Sequence, residues 1–391
     1  MSGLDRLTDH AFQIFETIGG ETVVEWAEKN CYLSERVTEM AGPYRTTDHP
    51  YVREVLEEWR NPRTKRVSLC WGSQTAKTTT IYVGLGWVID RSPGPILWVW
   101  SNERQARTFS NDRLIPFCED SGAIAKHLPK TSDGKIDRDR ATALRIEFDR
   151  CTLNMIGGQS QRNVRNYPVS YLVLDEIDVI PNPIRKDCYD RTKGRRSYKI
   201  FQSSTPIEDG GIWEEYLMGD QRKFFMRCPH CKKWISFEWR KSKGVYNLHY
   251  DPKAKLEDGN YDWDLIKKST VYLCQECGES ITDTDKQRMM RQGKWRPTAK
   301  GESGIRSYHL SSLYSPTITF AEMLTRWFRA QDTLDGLKQF ITGWLAEPWR
   351  EDIMNVTEEA THLLAGDYDR GELKGEYRLM GIDVQRSHFW W

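Results

Sequence analysis

The chain alternates short apolar runs with polar segments that contain Gly, Pro or closely spaced charges. The apolar runs are rich in β-branched and aromatic residues, which favours buried strands over helices. Five of them are predicted as strands: 67–71, 96–100, 153–156, 169–175 and 200–205. Amphipathic helices are predicted between them over 79–89 and 102–117. Strands that alternate with helices at this spacing predict a parallel α/β sheet with right-handed crossovers.

The segments on either side of this region are predicted to be mostly helical, because their apolar residues recur at helical spacing. The predicted helices are two within 1–40 and one each over 50–59, 319–332 and 336–345. Residues 350–375 are acidic and mixed in composition, which is typical of a linker. A last strand with one carboxylate is predicted over 377–385.

Composition limits the classes of protein and partner. The net charge is +1, so any contact with nucleic acid has to come from local basic patches. No apolar run approaches the ~20 residues of a membrane-spanning helix, and the N-terminus lacks the apolar core of a secretory signal. The mean hydropathy of −0.69 is typical of a soluble protein. Nine cysteines without a secretory signal indicate reduced thiols.

The stretch from Val67 to Thr80 combines a predicted strand, a small polar loop, Lys-Thr and the start of a helix. This is the layout of a phosphate-binding P-loop, in which backbone N–H groups face the anion, the Lys reaches the β/γ-phosphates and the Thr holds Mg²⁺. The predicted ATP- and Mg²⁺-binding residues are Gly72, Ser73, Gln74, Thr75, Ala76, Lys77 and Thr78. The match is degenerate, because Trp71 and Ala76 stand at the two glycine positions of G-x-x-x-x-G-K-[ST]. An ordinary Thr-rich helix cap fits the same residues.

A second candidate is the apolar strand that ends in Asp175 and Glu176, the form of a Walker B strand. Asp175 is predicted to hold Mg²⁺, mostly through water, and Glu176 to polarise the attacking water as general base. Asp178 is expected to orient the following loop. The alternative is a core strand that ends in a solvated Asp-Glu turn. The hypothesis requires Ala76-Lys77 and Asp175-Glu176 to converge on one nucleotide from neighbouring strands of one sheet.

The strand at 200–205 ends in three hydroxyl residues, Ser203, Ser204 and Thr205. In motor ATPases such a strand lies beside Walker B, where its hydroxyls sense the γ-phosphate and relay its loss, so a coupling role is predicted. A core strand that runs into a Ser/Thr turn is the alternative. Three strands whose carboxyl ends carry polar residues agree with the ligand crevices of open α/β sheets.

Basic and aromatic side chains around these motifs are further candidates. Arg165 is the first candidate, and Arg162 the second, to stabilise transition-state charge on the γ-phosphate. A basic stretch at 185–199 either grips DNA phosphates or is a solvated loop. Three residues upstream of the P-loop are candidates for clamping adenine: Tyr44, Arg45 and Tyr51. Packing of the two tyrosines explains their presence equally well.

Two C-x-x-C pairs stand about forty residues apart and predict a metal site. The four predicted ligands of a structural Zn²⁺ are Cys228, Cys231, Cys274 and Cys277. Pro229 and Gly278 suit the tight turns in which N–H groups support the sulfurs. Free cysteines or a disulfide are the alternatives, and His230 is an outside candidate for a ligand. The insert at 241–268 is polar and predicted to be loop-like.

With these motifs in this order, the sequence resembles the large terminase subunit of tailed bacteriophages, specifically the lambda-type family. Matching stretches run from about Trp26 to Gln385. They include Gly72–Thr78, Leu174–Pro181, Ser203–Pro206, both cysteine pairs, Leu345–Trp349 and Gly381–Gln385. The resemblance implies an ATP-driven motor that packages double-stranded DNA into a procapsid in the cytoplasm of the infected bacterial host. It also implies three partners, namely a small DNA-recognition subunit, the portal, and further copies of the chain in a ring.

The family carries a C-terminal RNase-H-like nuclease that cuts the concatemer, and two-metal cleavage needs several carboxylates. Asp383 matches the first metal-binding carboxylate of that nuclease, but its partners lie beyond residue 391. We therefore expect ATPase parts and no nuclease activity in this chain, which ends at the start of the nuclease domain. The full-length protein is expected to have both activities.

The predicted fold is α/β, a RecA/ASCE-type P-loop NTPase with a mainly parallel central sheet, a helical N-terminal lead-in and an inserted or appended zinc ribbon. The expected divisions are a helical segment at 1–60, the ATPase core at 61–225, a zinc-ribbon-like module at 226–300, helical completion at 301–350, a linker at 351–376 and the first nuclease strand at 377–391. A superfamily-2-like helicase is the nearest alternative, but no Q-x-x-G-R-x-x-R motif follows residue 206. A non-enzymatic zinc-containing DNA-binding module is the other alternative.

Overall fold

The computed structural model describes most of the chain between its two ends. The described residues are 20–38, 41–159, 164, 167–195, 197–242, 245–257 and 259–350, with the backbones of 383–384 and 389–390. They divide into two units between Trp349 and Arg350. The described part of the second unit is one antiparallel strand pair, in which Asp383 lies opposite Trp390. The first predicted helix and the predicted linker lie outside the described residues.

Each predicted helical segment that the structure describes contains a helix, and further helices form where none is predicted, among them Asn182–Asp190, Gly211–Met218, Trp263–Ser269 and Asp283–Arg291. They are α1 (Val23–Asn30), α2 (Val52–Glu57), α3 (Lys77–Arg91), α4 (Glu103–Phe109), α5 (Ile115–Asp120), α6 (Gly122–Ala125), α7 (Asn182–Asp190), α8 (Gly211–Met218), α9 (Trp263–Ser269), α10 (Asp283–Arg291), α11 (Phe320–Ala330) and α12 (Leu334–Gln339). A π-helical turn over Ser110–Leu114 joins α4 to α5, and another over Phe340–Trp344 extends α12. Among the described residues, no helix combines the length and apolar character needed to cross a membrane.

The strands include all five that the apolar runs predict. They are β1 (Tyr32–Leu33), β2 (Gly42–Pro43), β3 (Arg66–Trp71), β4 (Ile96–Trp100), β5 (Arg145–Glu147), β6 (Thr152–Gly157), β7 (Tyr171–Asp175), β8 (Lys199–Ser204), β9 (Arg222–Arg227), β10 (Trp234–Ile235), β11 (Arg240–Ser242), β12 (Val245–Tyr246), β13 (Leu248–His249), β14 (Val271–Leu273), β15 (Ser280–Ile281), β16 (Lys294–Arg296), β17 (Ile305–Leu310), β18 (Asp383–Val384) and β19 (Phe389–Trp390).

One sheet organises the first unit. Its strand order among the described residues is β10-β9-β17-β3-β8-β7-β4-β6-β5, with β16 paired to β9. The strands from β9 to β6 in this order run parallel, whereas β10, β16 and β5 are antiparallel to their neighbours. The prediction of a mainly parallel α/β sheet is therefore confirmed. The strands that carry the P-loop and the Walker B acids are not neighbours, however, because β8 lies between β3 and β7.

Apolar side chains cover both faces of this sheet, as expected for parallel strands with helices on either side. Leu69 and Trp71 point into the larger core, which also contains α1 to α5, whereas Cys70 points into a second core formed with α7 and α8. Helix α3 approaches Trp59 closely at Gly84, where a Cβ would lie 1.8 Å from Nε1 of the Trp59 ring. The Trp59 ring in turn stacks on Phe201 of β8, with 3.7 Å between the ring centroids.

Helix α11 shows how local sequence determines an element. The Thr319 side chain accepts the N–H of Glu322, which caps the first turn. Phe320, Met323 and Trp327 then lie on one face at helical spacing, and all three are buried. This apolar face attaches the helix to the core.

Several elements differ from the sequence-based expectation, and two of them show the reason. Strand β17 was not among the predicted strands, because its alternating polar residues have the composition of a loop; the Ser307 hydroxyl is buried and donates to the carbonyl oxygen of Tyr216. The insert at 241–268 was expected to be loop-like, but it contains short strands and α9. Both depend on partners distant in sequence, which local periodicity does not report.

Candidate functional site

The loop between β3 and α3 has the backbone shape of an anion site. Gln74 and Ala76 both have a φ of 58°, in the left-handed region. Within the described residues, no acceptor lies on the backbone N–H of Gln74, Thr75 or Ala76. Alternation of left- and right-handed residues produces a concavity of N–H groups that attracts anions. Ala76 stands at the second glycine position of the P-loop consensus and has the left-handed conformation that favours glycine, at a cost of about 1 kcal/mol.

Lys77 lies at the start of α3, directly below this concavity. Its Nζ donates to the carbonyl oxygens of Trp71 and Gly72, at 2.9 Å each. An ammonium group has three donors, so one remains for a phosphate oxygen. Burial lowers the pKa of Lys77 to about 8, and the neighbouring Asp175 opposes this shift. An anion at the loop would favour the charged form of this side chain.

The segment after β3 and the end of β7 come together at Asp175, although β8 lies between the two strands. Thr78 Oγ1 lies 3.2 Å from Asp175 Oδ2, and the Ser203 hydroxyl donates to Asp175 Oδ1 at 2.6 Å. Burial raises the pKa of Asp175, whereas the hydrogen bond from Ser203 lowers it. The residue that follows Lys77 and the Walker B aspartate thus lie side by side, although β8 separates their strands. That both pairs bind one nucleotide stays a prediction.

Glu176 follows Asp175 in a left-handed conformation, with a φ of 54°, and is exposed. The Ser101 hydroxyl donates to Glu176 Oε2 at 3.3 Å, and it also contacts Oε1 of Gln105. Ser101 directly follows β4, the strand beside β7. Ser101 is not part of any of the motifs that the sequence shows. The rule that polar residues follow the carboxyl ends of neighbouring strands would have included it.

Asp178 orients a loop, as the sequence suggests. Its Oδ2 accepts the N–H of Ile207 at 2.9 Å, and its Oδ1 accepts the N–H of Ile212 at 2.7 Å. A Cβ on Gly211 would lie 2.4 Å from the same carboxylate. The turn that contains Glu176 and Asp178, which we call the Walker B turn, is therefore connected to the segment that follows Ser203, Ser204 and Thr205.

A second set of contacts, which the sequence motifs do not predict, holds the start of the P-loop. The N–H of Gly72 donates to the oxygen of Leu310, and the N–H of Ser73 donates to the oxygen of Gly343, both at 2.7 Å. The Ser312 hydroxyl donates to the oxygen of Ser73 at 2.7 Å. We refer to Leu310, Ser312 and Gly343 as the P-loop clasp. A Cβ on Gly72 would lie 2.7 Å from the oxygen of Trp344, so only glycine fits there.

Several predicted residues are not brought to this site. Tyr51 is fully buried against Trp71 and Phe224, and Tyr44 is also buried, which favours the packing alternative over an adenine clamp. Arg45 is exposed beside Tyr44. Lys199 of the basic stretch is buried, and its Nζ donates to the carbonyl of Thr64, so it is withdrawn from any phosphate. Arg162, Arg165 and the side chain of Asp383 lie outside the described residues.

The four predicted cysteine ligands form one cluster. Their sulfur atoms all lie within 4.8 Å of one another. Cys228 Sγ is 3.9 Å from Cys277 Sγ, and Cys231 Sγ is 4.0 Å from Cys274 Sγ. These distances exclude a disulfide, whose S–S bond is about 2.05 Å. They suit a tetrahedral metal ion, since Zn–S bonds of about 2.3 Å place the sulfurs ~3.8 Å apart.

Each cysteine pair lies at the turn of a hairpin, between β9 and β10 and between β14 and β15. The first turn closes with the N–H of Cys228 on the oxygen of Lys233, and the second with the N–H of Cys274 on the oxygen of Glu279. His230 is not a ligand in this arrangement, because its Nε2 lies 2.9 Å from the oxygen of Ser280. Its backbone N–H instead donates to Cys228 Sγ.

Comparison with known families agrees with this geometry. Residues 38–295, more than half of the chain, match the family model described as phage terminase large subunit gpA, ATPase domain. Residues 305–391 match the model described as terminase large subunit gpA, endonuclease domain. The second match begins at β17, which pairs with the P-loop strand.

Individual relatives carry the same description. The chain is 23% identical to the large terminase subunit of Enterobacteria phage P21 and 20% identical to that of Escherichia phage lambda, over 94% of its length in both cases. It spans 59% of the length of each relative. The ATPase domain of the Thermus phage P74-26 large terminase covers 78% of the chain, and 94% of that structure is matched, at 15% identity and a TM-score of 0.45. Because this score is below 0.5, the assignment rests on the family match. The chain belongs to the phage terminase large subunit family, with the gpA-type ATPase domain.

Proposed function

We propose that the chain is the ATP-hydrolysing motor part of a viral terminase, which translocates double-stranded DNA into a procapsid. The observation that carries this proposal is the meeting of Thr78 with Asp175 at 3.2 Å, below a loop of unpaired N–H groups. A phosphate site, a Mg²⁺ site and a candidate base are needed together for phosphoryl transfer to water. The family match supports the same function.

The residues divide the chemistry in the following way. The N–H groups of residues 74–76 and the ammonium of Lys77 bind the β/γ-phosphates. Thr78 and Asp175 hold Mg²⁺, which neutralises charge on the phosphates when it is bound. Glu176 accepts a proton from the attacking water, and the exposed carboxylate has room for that water. Ser101 orients Glu176 through its hydroxyl.

Two further roles complete the proposal. The hydroxyl of Ser203 bonds directly to Asp175, so a change at the metal would reach the segment Ser203–Thr205 and its loop. Asp178 connects that loop to the Walker B turn, which provides a route from γ-phosphate release to the DNA-gripping part. Arg165, or else Arg162, supplies the positive charge at the γ-phosphate, in the same chain or in a neighbouring one.

The cysteine cluster fits one structural Zn²⁺. Its four thiols converge within 4.8 Å, and four cysteine ligands would complete the tetrahedral coordination of a structural, not a catalytic, zinc. The ion would connect the β9–β10 hairpin of the central sheet to the β14–β15 hairpin.

As part of the same proposal, the motor works as a ring of several copies, with the small terminase subunit and the portal as partners. The ATPase core at 61–225, the cysteine-containing region at 226–300 and the helical part at 301–350 all contribute to the first unit.

The decisive experiment measures ATP hydrolysis by the purified chain with and without duplex DNA. We expect turnover that duplex DNA stimulates. Lys77→Ala should lower affinity for a non-hydrolysable ATP analogue at least tenfold, because it removes the charge at the phosphates. Lys267→Ala is the matched control, since Lys267 is exposed on α9. Unchanged analogue affinity in Lys77→Ala, or no hydrolysis by the parent chain, would refute the proposal.

A helicase or a non-enzymatic DNA-binding module is less well supported. On the side of the sheet next to the P-loop strand β3, the neighbouring strand is β17. Beyond β17 lie β9, β10 and β16, which are close to the cysteine cluster. A zinc module that only binds DNA would not need the Thr78–Asp175–Ser203 arrangement. The same ATPase assay separates the non-enzymatic module from the motor, and the missing Q-x-x-G-R-x-x-R motif after residue 206 counts against a helicase.

A further inference from the structure

The outer surface of β9, β10 and β16 carries a set of cations and aromatic rings. In β9 the side chains alternate: Phe224 and Met226 are buried, whereas Lys223, Phe225 and Arg227 lie on the opposite, outward side. The partners in β10 and β16 continue the same alternation, with Ile235 and Trp295 buried. We define the cationic face by its outward residues: Lys223, Phe225, Arg227, Trp234, Lys294 and Arg296.

Two guanidinium groups of this face lie over one indole ring. The Arg296 guanidinium is 4.1 Å from the centroid of the Trp234 ring, and that of Arg227 is 5.1 Å away. Arg296 also lies 5.7 Å from the centroid of Phe225. Contacts of this kind hold a guanidinium by its flat face and leave its N–H edge available for a planar anion such as phosphate.

The cations of the face are largely without acidic partners. No Asp or Glu occurs in the three strands. Lys223 pairs with Glu238 at 3.0 Å, but within the described residues no carboxylate pairs with Arg227, Lys294 or Arg296, all of which are exposed. Because the whole chain has a net charge of only +1, this is a local excess of positive charge that a polyanion would match.

We propose that the cationic face binds the phosphate backbone of duplex DNA. The inference rests on the proposed function, which supplies duplex DNA as the substrate, and it adds the residues that touch it. Arg227, Lys294 and Arg296 contact phosphate oxygens. The rings of Trp234 and Phe225 brace the guanidinium groups and are therefore engaged, which favours a duplex over single-stranded bases that need free rings for stacking.

The cationic face is connected through the sheet to the P-loop strand. Strand β9 is paired with β17, and β17 is paired with the P-loop strand β3. Arg227 directly precedes Cys228, so the same strand carries the DNA contact and a cysteine of the cluster. DNA bound here would be held by the part of the sheet that also carries the P-loop clasp residue Leu310.

The test measures binding of the whole nucleotide-free chain to a short labelled duplex over a series of salt concentrations. Each phosphate contact contributes about 0.9 to the slope of log K against log salt. Arg227→Ala with Arg296→Ala should therefore reduce the slope by about two and weaken binding about equally for unrelated sequences. Arg296→Glu should weaken binding at least tenfold. Basal ATP hydrolysis without DNA should be unchanged in both variants, which shows that they are folded.

The matched control is Arg329→Glu. Arg329 is exposed on α11 and lies over Trp263, at 5.7 Å from the ring centroid, so the variant makes the same change of charge and removes a similar ring contact elsewhere. It should leave duplex affinity within about twofold of the parent chain. Equal losses in Arg329→Glu and Arg296→Glu would overturn the inference, and so would an unchanged salt slope in the double variant.

The two proposals fail separately. A parent chain whose ATP hydrolysis is stimulated by duplex DNA, but whose duplex affinity and salt slope are unchanged in the arginine variants, overturns the cationic face alone. A chain that binds duplex DNA through these arginines but does not hydrolyse ATP overturns the motor proposal alone.

Discussion

Thr78 Oγ1 and Asp175 Oδ2 lie 3.2 Å apart, although 97 residues separate them in the chain. The contact exists because the P-loop strand and the Walker B strand run parallel and end at the same edge of the sheet, with Ser203 of the strand between them bonded to the same carboxylate. A hydroxyl and a buried carboxylate at this distance are suited to share one Mg²⁺. The proposed mechanism depends on this pair.

Replacing the proposed base should separate hydrolysis from binding. Glu176→Gln keeps the size of the side chain but removes its ability to accept a proton, so we expect turnover to fall about 10²–10⁴-fold while affinity for an ATP analogue changes little. Single-turnover hydrolysis and analogue titration measure the two effects. Glu257→Gln, at an exposed glutamate elsewhere, should behave as the parent chain. Full turnover in Glu176→Gln would exclude this residue as the base.

Ser101 should act through Glu176. Ser101→Ala removes a hydroxyl that donates at 3.3 Å, a hydrogen bond worth about 0.5–1.5 kcal/mol, so kcat should fall about 2–10-fold with KM unchanged. Ser101→Thr keeps the hydroxyl and should restore most of the rate. The loss should disappear when Glu176 is already Gln, because the partner group is gone. A loss of equal size in both backgrounds would show that Ser101 acts in another way.

Zinc should be present and structural. We expect about one Zn²⁺ per chain by elemental analysis, and Cys274→Ser should reduce this content and lower the unfolding temperature by about 10 °C. Cys151→Ala is the control, since Cys151 lies outside the cluster. Zinc content that is unaffected by Cys274→Ser would contradict the proposed ligand set.

Acid should weaken the fold around the P-loop clasp. Burial lowers the pKa of His309 to about 4, with a smaller contribution from Lys223, and its Nε2 donates to the oxygen of Ala346 at 3.0 Å. The unfolded chain binds a proton on this ring below its ordinary pKa of 6.5, whereas the folded chain does so only near 4. Stability that His309 contributes is therefore present above pH 6.5 and is lost as the pH falls from 6.5 to 4.

The expected loss over this range is about 1–3 kcal/mol of unfolding free energy, measured by denaturant unfolding at several pH values. His309→Gln retains a donor but does not titrate, so its stability should depend less on pH in this window. His249→Gln replaces an exposed histidine and should keep the parent dependence. Parallel curves for the parent chain and His309→Gln would contradict the assignment.

Local sequence predicts five parallel strands, the helices around them and the candidate motifs, but not β9, β17, α7, α8 or α10. The apolar runs predict β3, β4, β6, β7 and β8. The spacing of Lys77-Thr78, of Asp175-Glu176 and of the two cysteine pairs predicts a phosphate site, a Mg²⁺ site and a zinc site. These features depend on residues near in sequence, whose periodicity and turn chemistry have direct physical causes. Ala76 in the second glycine position made the P-loop degenerate as a pattern, but its backbone takes the left-handed conformation regardless.

Only the tertiary structure decided which of these features meet. It placed β8 between the P-loop and Walker B strands, inserted β17 beside β3, brought Ser101 to Glu176, and buried Tyr51 inside the core. The amino-acid sequence determines strands, turns and ligands through neighbours, because those interactions act over a few residues. Strand order, the P-loop clasp and the cationic face depend on packing between segments distant in the chain, and no local pattern encodes which distant surface a segment will cover.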